Sequence, residues 1–415
     1  MSLLIYDARV VTLPGDPAHR RGLLTGGLGV LDRGWVRVEG PRIAEVGGGD
    51  PPGAEPGETV VDARGRVLMP AFVDCHTHLC WMGDRLDEWD ARLRGATYLD
   101  ILRAGGGILA TVRAVRAATE EELALALLGR LQHLLREGTT TVEIKSGYGL
   151  STESELKMLR AIALAGSRWP GTVVPTACIG HAIDPDASDE AARAAFIART
   201  IGETLPAVTA EFPGIAVDAY CEEGAWRPDE CLGLLARAQA AGHPIRVHAD
   251  QFHALGLTAE AARRGFLSVD HLEASAPADL RALAASDSFA VLLPCCGLHA
   301  DGRYADGRTL LDAGARLAIA TNTNPGSSPC SSMPMAIALA ARHNRLSPHE
   351  ALACATSTPA ALLGLDDRGR IAPGLRADLI LLRHRDERAL AFEFGGNPVD
   401  LVVCAGTIRS SSAPV

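Results

Sequence analysis

The middle of this chain repeats one pattern eight times. Apolar, β-type runs fall at Ala71–His78, Thr139–Ser146, Val173–His181, Ile215–Glu222, Ile245–Asp250, Leu267–Glu273, Phe289–Cys295 and Leu317–Asn324, with helical patterns between them. Parallel strands covered on both faces need near-continuous apolar runs of this kind. Eight of them, separated by helices, predict an α/β fold of the (β/α)8 TIM-barrel type. A doubly wound open sheet is the rival, but no G-x-G-x-x-G opens a helix here. Among the helices, Thr119–Glu137 is the clearest, with Thr119 as N-cap, acids in its first turn and Gly138 as its stop. Glu153–Ala165, Pro228–Ala241, Thr258–Arg264, Ala276–Ala285 and Met333–His343 are shorter or weaker patterns.

The two ends have a different texture. Before residue 66, short β-type runs are cut by glycine and proline, and the same texture returns at Ile371–Arg383 and Leu401–Arg409. This predicts a small β-sandwich domain built from both termini, residues 1–65 and 366–415, around a barrel over residues 66–365. Two separate β caps are the alternative.

Composition narrows the partners. A net charge of -10 argues against a nucleic-acid backbone or an anionic membrane surface. No window reaches the roughly 18 apolar residues of a membrane span, and the first residues lack the basic start and cleavage site of a signal peptide. The ten cysteines are scattered, without a Cys-x-x-Cys pair, and read as buried free thiols of a cytoplasmic protein.

The polar residues point to chemistry. His76 and His78 close the first strand, and positions i and i+2 of a strand face the same way, so both can hold one ion. Four other strands end in His181, His248, His271 and the pair Asn322 with Asn324. Active sites of such barrels gather at these C-terminal ends. One histidine in that series would pass as a satisfied polar residue; five on one rim point to a site. Asp74 and Asp250 read as structural partners of nearby amides, and Lys145 as a charge partner rather than a metal-bridging lysine. Arg85, in GDRLDEW, offers a fork for a substrate carboxylate. Tyr148 follows a strand end and lines the pocket or caps the core. Cys295 and Cys296 could ligate metal, but buried structural thiols are the default reading.

These residues carry a family resemblance. The stretches DCHTHL (74–79), GDR (83–85), AGGGI (104–108), TTVEIKSGYGL (140–150), GHA (180–182), CEEGAW (221–226), HADQ (248–251), DHLE (270–273) and NPGSSP (324–329) resemble imidazolonepropionases, members of the amidohydrolase superfamily. The His-x-His pair is common to the superfamily, whereas EIKSGYGL and NPGSSP are particular to this family. The resemblance implies hydrolysis of the lactam C–N bond of 4-imidazolone-5-propanoate to N-formimidoyl-L-glutamate, in histidine degradation. It implies one zinc or iron ion per subunit, a small-molecule substrate and a homodimer. It further implies His76, His78 and His248 as metal ligands, with Asn322 at the position that touches the metal. His271 would hydrogen-bond the attacking water, and Gln251 would contact the ring. Arg85, Tyr148, His181, Asn324, Gly326 and Ser327 would hold the substrate.

Two departures from the family pattern qualify this. Where the family reads Thr-Asp-x-Asn-Pro-Gly on strand eight, this chain has Asn322 in place of the aspartate that serves as proton shuttle. After strand seven it carries Pro294-Cys295-Cys296-Gly297-Leu298-His299 in place of glycine and aromatics. Three neutral histidines with an open position still make a competent zinc site, and His271 can accept a proton near neutral pH. Two alternatives stand beside the main reading: a related amidohydrolase acting on another cyclic amide or amidine, and a non-catalytic binding homologue in which Asn322 marks a lost activity.

Overall fold

The structure is a computed structural model that describes residues 2–15, 22, 27–95 and 106–411. Ala104 and Gly105 of the AGGGI stretch lie outside the described residues. Two eight-stranded sheets organise the chain.

The first sheet contains β1 (Ser2–Val11), β2 (Val30–Glu39), β3 (Arg42–Gly48), β4 (Thr59–Asp62) and β5 (Val67–Pro70), joined by β14 (Leu379–Leu382), β15 (Val399–Cys404) and β16 (Thr407–Ser411). Its order is β16-β15-β14-β5-β1-β2-β3, with β4 paired to β1, so the two chain ends meet where β5 pairs antiparallel with β14. A core of Leu3, Ile5, Val36, Val38, Leu379, Leu381, Leu401 and Val403 holds this sheet. Arg9 adds a fork from β1 to the carboxylate of Glu387, at 2.7 and 3.0 Å. The single run read at 401–409 is a hairpin, because Ala405 and Gly406 take positive φ and turn the chain between β15 and β16.

The second sheet is the barrel: β6 (Phe72–Asp74), β7 (Thr139–Lys145), β8 (Thr172–Gly180), β9 (Ala216–Cys221), β10 (Ile245–Ala249), β11 (Ser268–His271), β12 (Phe289–Leu292) and β13 (Arg316–Ile319), all parallel and in sequence order. Beyond the named strands, Asn322 N–H donates to the His76 carbonyl (3.0 Å) and His78 N–H to the Thr323 carbonyl (2.9 Å). These two bonds tie the chain after β6 to the chain after β13, so the seam of the ring lies at His76, His78 and Asn322. The ladder of β6 therefore ends at Asp74, and the two histidines sit in the extended segment just past it.

The helices between strands follow their capping signals. Helix Glu120–Arg136 opens with a capping box, Thr119 Oγ1 accepting from Glu122 N–H while Glu122 accepts from Thr119 N–H, an arrangement worth about 1 kcal/mol. Its buried stripe is Leu123, Leu127, Leu131 and Leu134, the spacing of three and four residues of a helix lying on a sheet. Two features depart from the pattern reading. Residues 190–211 form a helix broken by a π-turn at Thr200–Thr204. The run expected to continue as strand through Cys295 stops at Leu292, because Pro294 starts a short helix, Pro294–His299, where its fixed φ suits the first helical position.

Candidate active site

At the C-terminal rim of the barrel, histidine rings converge. His76, His78, His248 and His271 are all buried. The His76 ring centroid lies 5.4 Å from that of His78, 4.5 Å from His248 and 6.0 Å from His271. The Nε2 atoms of His78 and His248 face each other at 3.1 Å. Two nitrogens bound to one tetrahedral ion sit about 3.3 Å apart, given bonds of roughly 2.0–2.1 Å. Among the described residues, His76 Nε2 and Asn322 Oδ1 are buried without a hydrogen-bond partner. A buried unpaired acceptor costs free energy, so these two atoms and the facing nitrogen pair fit a cation between them. His76, His248 and His271 offer nitrogens within 4.8 Å of one another, as do His78, His181 and His248.

The backs of the rings are held by carboxylates. His76 Nδ1 lies 2.6 Å from Asp270 Oδ2, and His248 Nδ1 lies 3.0 Å from Asp218 Oδ1. A carboxylate there fixes the Nδ1–H tautomer and turns the Nε2 lone pair toward the centre. Beneath them runs a fully buried ionic lattice. Lys145 Nζ contacts Asp218 (2.7 Å) and Glu143 (2.8 Å), and Arg246 contacts Asp270 (2.7 Å) and Glu143 (3.4 Å). Lys145 is thus the charge partner the sequence suggested. Against burial and the nearby Arg246, Asp218, Glu143 and Asp270 keep its ammonium above the ordinary lysine value. Burial, reinforced by neighbouring positive groups, drives His76, His78 and His248 well below the usual histidine value. Neutral imidazoles are the form that binds a metal.

The remaining rim residues form the walls. His181 stacks on His78 at 4.7 Å, and its Nδ1–H donates to the Gly147 carbonyl at 2.9 Å. Burial lowers its pKa to about 4. Tyr148 is buried, with its ring 5.3 Å from that of His181. His271 Nδ1 lies 3.2 Å from both oxygens of Glu273. Gln251 accepts from Tyr220 Oη–H at 2.8 Å and donates Nε2–H to Cys296 Sγ at 3.3 Å. Burial pushes the Cys296 thiol up to about 12, against hydrogen bonds from Ser327, Asn322 and Gln251.

The loop after β13 is internally tied. Asn324 Oδ1 accepts from Gly326 N–H (2.8 Å) and Ser327 N–H (2.7 Å), while its Nδ2 donates to the Asn322 carbonyl (2.7 Å). The Asn324 side chain therefore shapes the loop it belongs to. Arg85 reaches this loop: a Cβ built on Gly326 would stand 2.5 Å from Arg85 Nη1, so any side chain there would have to displace the guanidinium. Arg85 Nε–H also donates to Thr111 Oγ1 at 3.1 Å. Asn322 sits at φ +55°, in the left-handed region that asparagine and aspartate tolerate best.

Two of the structural readings are also located. Asp74 accepts from the Thr321 backbone and hydroxyl, and Asp250 accepts from the Thr258 and Ser275 hydroxyls. Cys295 and Cys296 are buried free thiols. Sequence reasoning missed Asp218, Glu143, Arg246, Tyr220 and the Glu273 contact. The signal was present for three of them, since Glu143, Asp218 and Arg246 each put a charged side chain inside a barrel strand.

Known proteins share this architecture. The amidohydrolase family pattern matches residues 67–409. An imidazolonepropionase from Rubrobacter xylanophilus is 43% identical over 415 residues, covering 98% of each chain. One from Deinococcus radiodurans is 43% identical over 407 residues, covering 98% of this chain and 99% of its own. Among solved structures, the 5-methylcytosine deaminase of Klebsiella pneumoniae superposes with a TM-score of 0.75 at 18% identity, covering 99% of this chain and 98% of that one. A triazine hydrolase variant gives 0.73 at 17% identity, covering 99% and 95%. At those identities the two structures share the fold.

Proposed function

The chain belongs to the imidazolonepropionase family of the amidohydrolases, and from that premise we propose that it hydrolyses 4-imidazolone-5-propanoate to N-formimidoyl-L-glutamate. Water adds to the ring carbonyl, the lactam C–N bond breaks, and the nitrogen leaves with a proton. The observation that carries this reading is the set of inward-facing donors: the His78 and His248 Nε2 pair, and the unpartnered His76 Nε2 and Asn322 Oδ1.

Amidohydrolases are metal-dependent, and here His76, His78 and His248 would hold the ion, with the Asn322 amide oxygen beside them. When bound, such an ion polarises a carbonyl and acidifies water. The rest falls to this chain's own groups. With Nδ1–H directed at Glu273, His271 keeps its Nε2 lone pair free to take a proton from the attacking water, a step worth roughly 10²–10⁴-fold. Gln251, anchored by Tyr220, would meet the ring. Arg85 would pair with the propionate arm, beside Tyr148, His181 and the Gly326–Ser327 turn that Asn324 shapes. Holding the ring in one pose supplies orientation rather than chemistry. The same reading takes zinc or iron as the ion, a homodimer as the assembly and the cytoplasm as the compartment. It also takes residues 1–65 and 366–415 as one domain around the 66–365 barrel.

The test pairs elemental analysis with a ring-opening assay on freshly prepared imidazolone propanoate. Replacing His76 and His78 by alanine is expected to abolish both bound metal and turnover. If both survive, the assignment is wrong. Loss of activity on analogues without the propionate arm, restored in none by Arg85→Lys, would support the role given to Arg85.

A further inference from the structure

His271 belongs to two donor clusters. One is the group with His76 and His248; the other joins His271 to Glu273 and Cys296, whose ligand atoms all lie within 4.8 Å of one another. The second cluster is distinct in chemistry, combining an imidazole, a carboxylate and a thiol. Its side chains are nearly sealed from solvent: Glu273 is 5% exposed and His271 3%, with Cys296 buried on the helix that follows β12. His271 Nδ1 is the atom facing Glu273, so it is a different nitrogen from the one that serves the reaction. Cys296 stands in the segment where this chain departs from its family pattern.

We propose that His271, Glu273 and Cys296 form a second cation site, selective for thiophilic ions such as zinc and cadmium. Thiolate and imidazole together favour soft or borderline ions over magnesium or calcium. The three ligand atoms, within 4.8 Å of one another, would draw in around the ion to reach bonds of roughly 2.0 Å to nitrogen and oxygen and 2.3 Å to sulphur, leaving a fourth position open. Binding displaces the thiol proton of Cys296 to solvent and the Nδ1 proton of His271 likewise, leaving a thiolate and an imidazole lone pair on the ion. The ring then carries positive charge at its back and becomes a poorer base. Occupancy of the second site thus inhibits the enzyme, a consequence that rests on the function proposed above; the binding itself does not.

The experiment titrates the whole protein with cadmium after its first equivalent of metal is in place. Bound metal is measured by elemental analysis after dialysis, and thiolate ligation by the ultraviolet cadmium–sulphur charge-transfer band. The wild type is expected to take a second ion and develop the band, losing turnover as it does. Cys296→Ser is expected to stop at one ion with no band, and Glu273→Gln to need a higher cadmium concentration for the same band. A chain carrying His76→Ala and His78→Ala should still form the band, which separates failure of the first site from failure of the second. A wild-type protein that never shows the band, or a Cys296→Ser protein that shows it undiminished, overturns the proposal.

Discussion

Asp218 holds His248 Nδ1 with one carboxylate oxygen at 3.0 Å and gives its other oxygen to the Lys145 ammonium at 2.7 Å. The carboxylate therefore aims a ligand and balances a charge at once. Asp218→Asn breaks both tasks, since an amide can present N–H to Nδ1 and reverse the imidazole tautomer. Metal affinity is expected to fall by roughly 10–100-fold, read by competition against a chelator. Unchanged affinity would detach Asp218 from the site.

Lys145 tests the lattice rather than the site. Lys145→Met leaves Glu143, Asp218 and Asp270 buried with Arg246 as the remaining cation of the lattice among the described residues. Removing one partner of such a network costs about 3–5 kcal/mol. The urea midpoint should drop accordingly with an unchanged slope.

Asn322→Asp probes the departure on strand eight. The left-handed φ of +55° accepts either residue, so the backbone should not object. A carboxylate beside the unpartnered His76 Nε2 adds charge where the ion would sit. Metal retention against a chelator and turnover are both expected to rise. A fall in turnover would show a site tuned to the amide.

Acid stability should be governed in part by Glu58 in the terminal sheet. Arg37 Nε–H donates to it at 3.0 Å, and Ser2 and the Glu55 amide donate as well. The Arg37 hydrogen bond, more than the opposing effect of burial, lowers the Glu58 pKa to about 2. The unfolded chain keeps a value near 4.3. A depressed folded value contributes stability that is fully present above the unfolded value and lost as pH falls toward the folded one. Between about pH 5 and pH 2, urea midpoints should fall further for the wild type than for Glu58→Gln.

The barrel was legible because its strands need near-continuous apolar runs, and the histidine rim because each ring stood at the end of one. Thr119 and Glu122 announced their helix by a local bond between neighbours in sequence. The lattice was not legible for the opposite reason. Lys145 and Asp218 are 73 residues apart and meet only when β7, β8 and β9 stand side by side. Nor did spacing reveal that Asn324 serves its own loop, because that depends on the turn geometry of Gly326 and Ser327. The Pro294 helix was missed because apolar residues on either side of it hide the change from strand to helix.

The pairing of β5 with β14 sets an order on synthesis. β5 leaves the ribosome early, yet the strand that covers its flank comes 309 residues later, from Pro70 to Leu379. Until then the nascent protein carries an open, adhesive edge, and its apolar face has no lid. A chain truncated before β14 keeps that edge open and is expected to stick to its siblings.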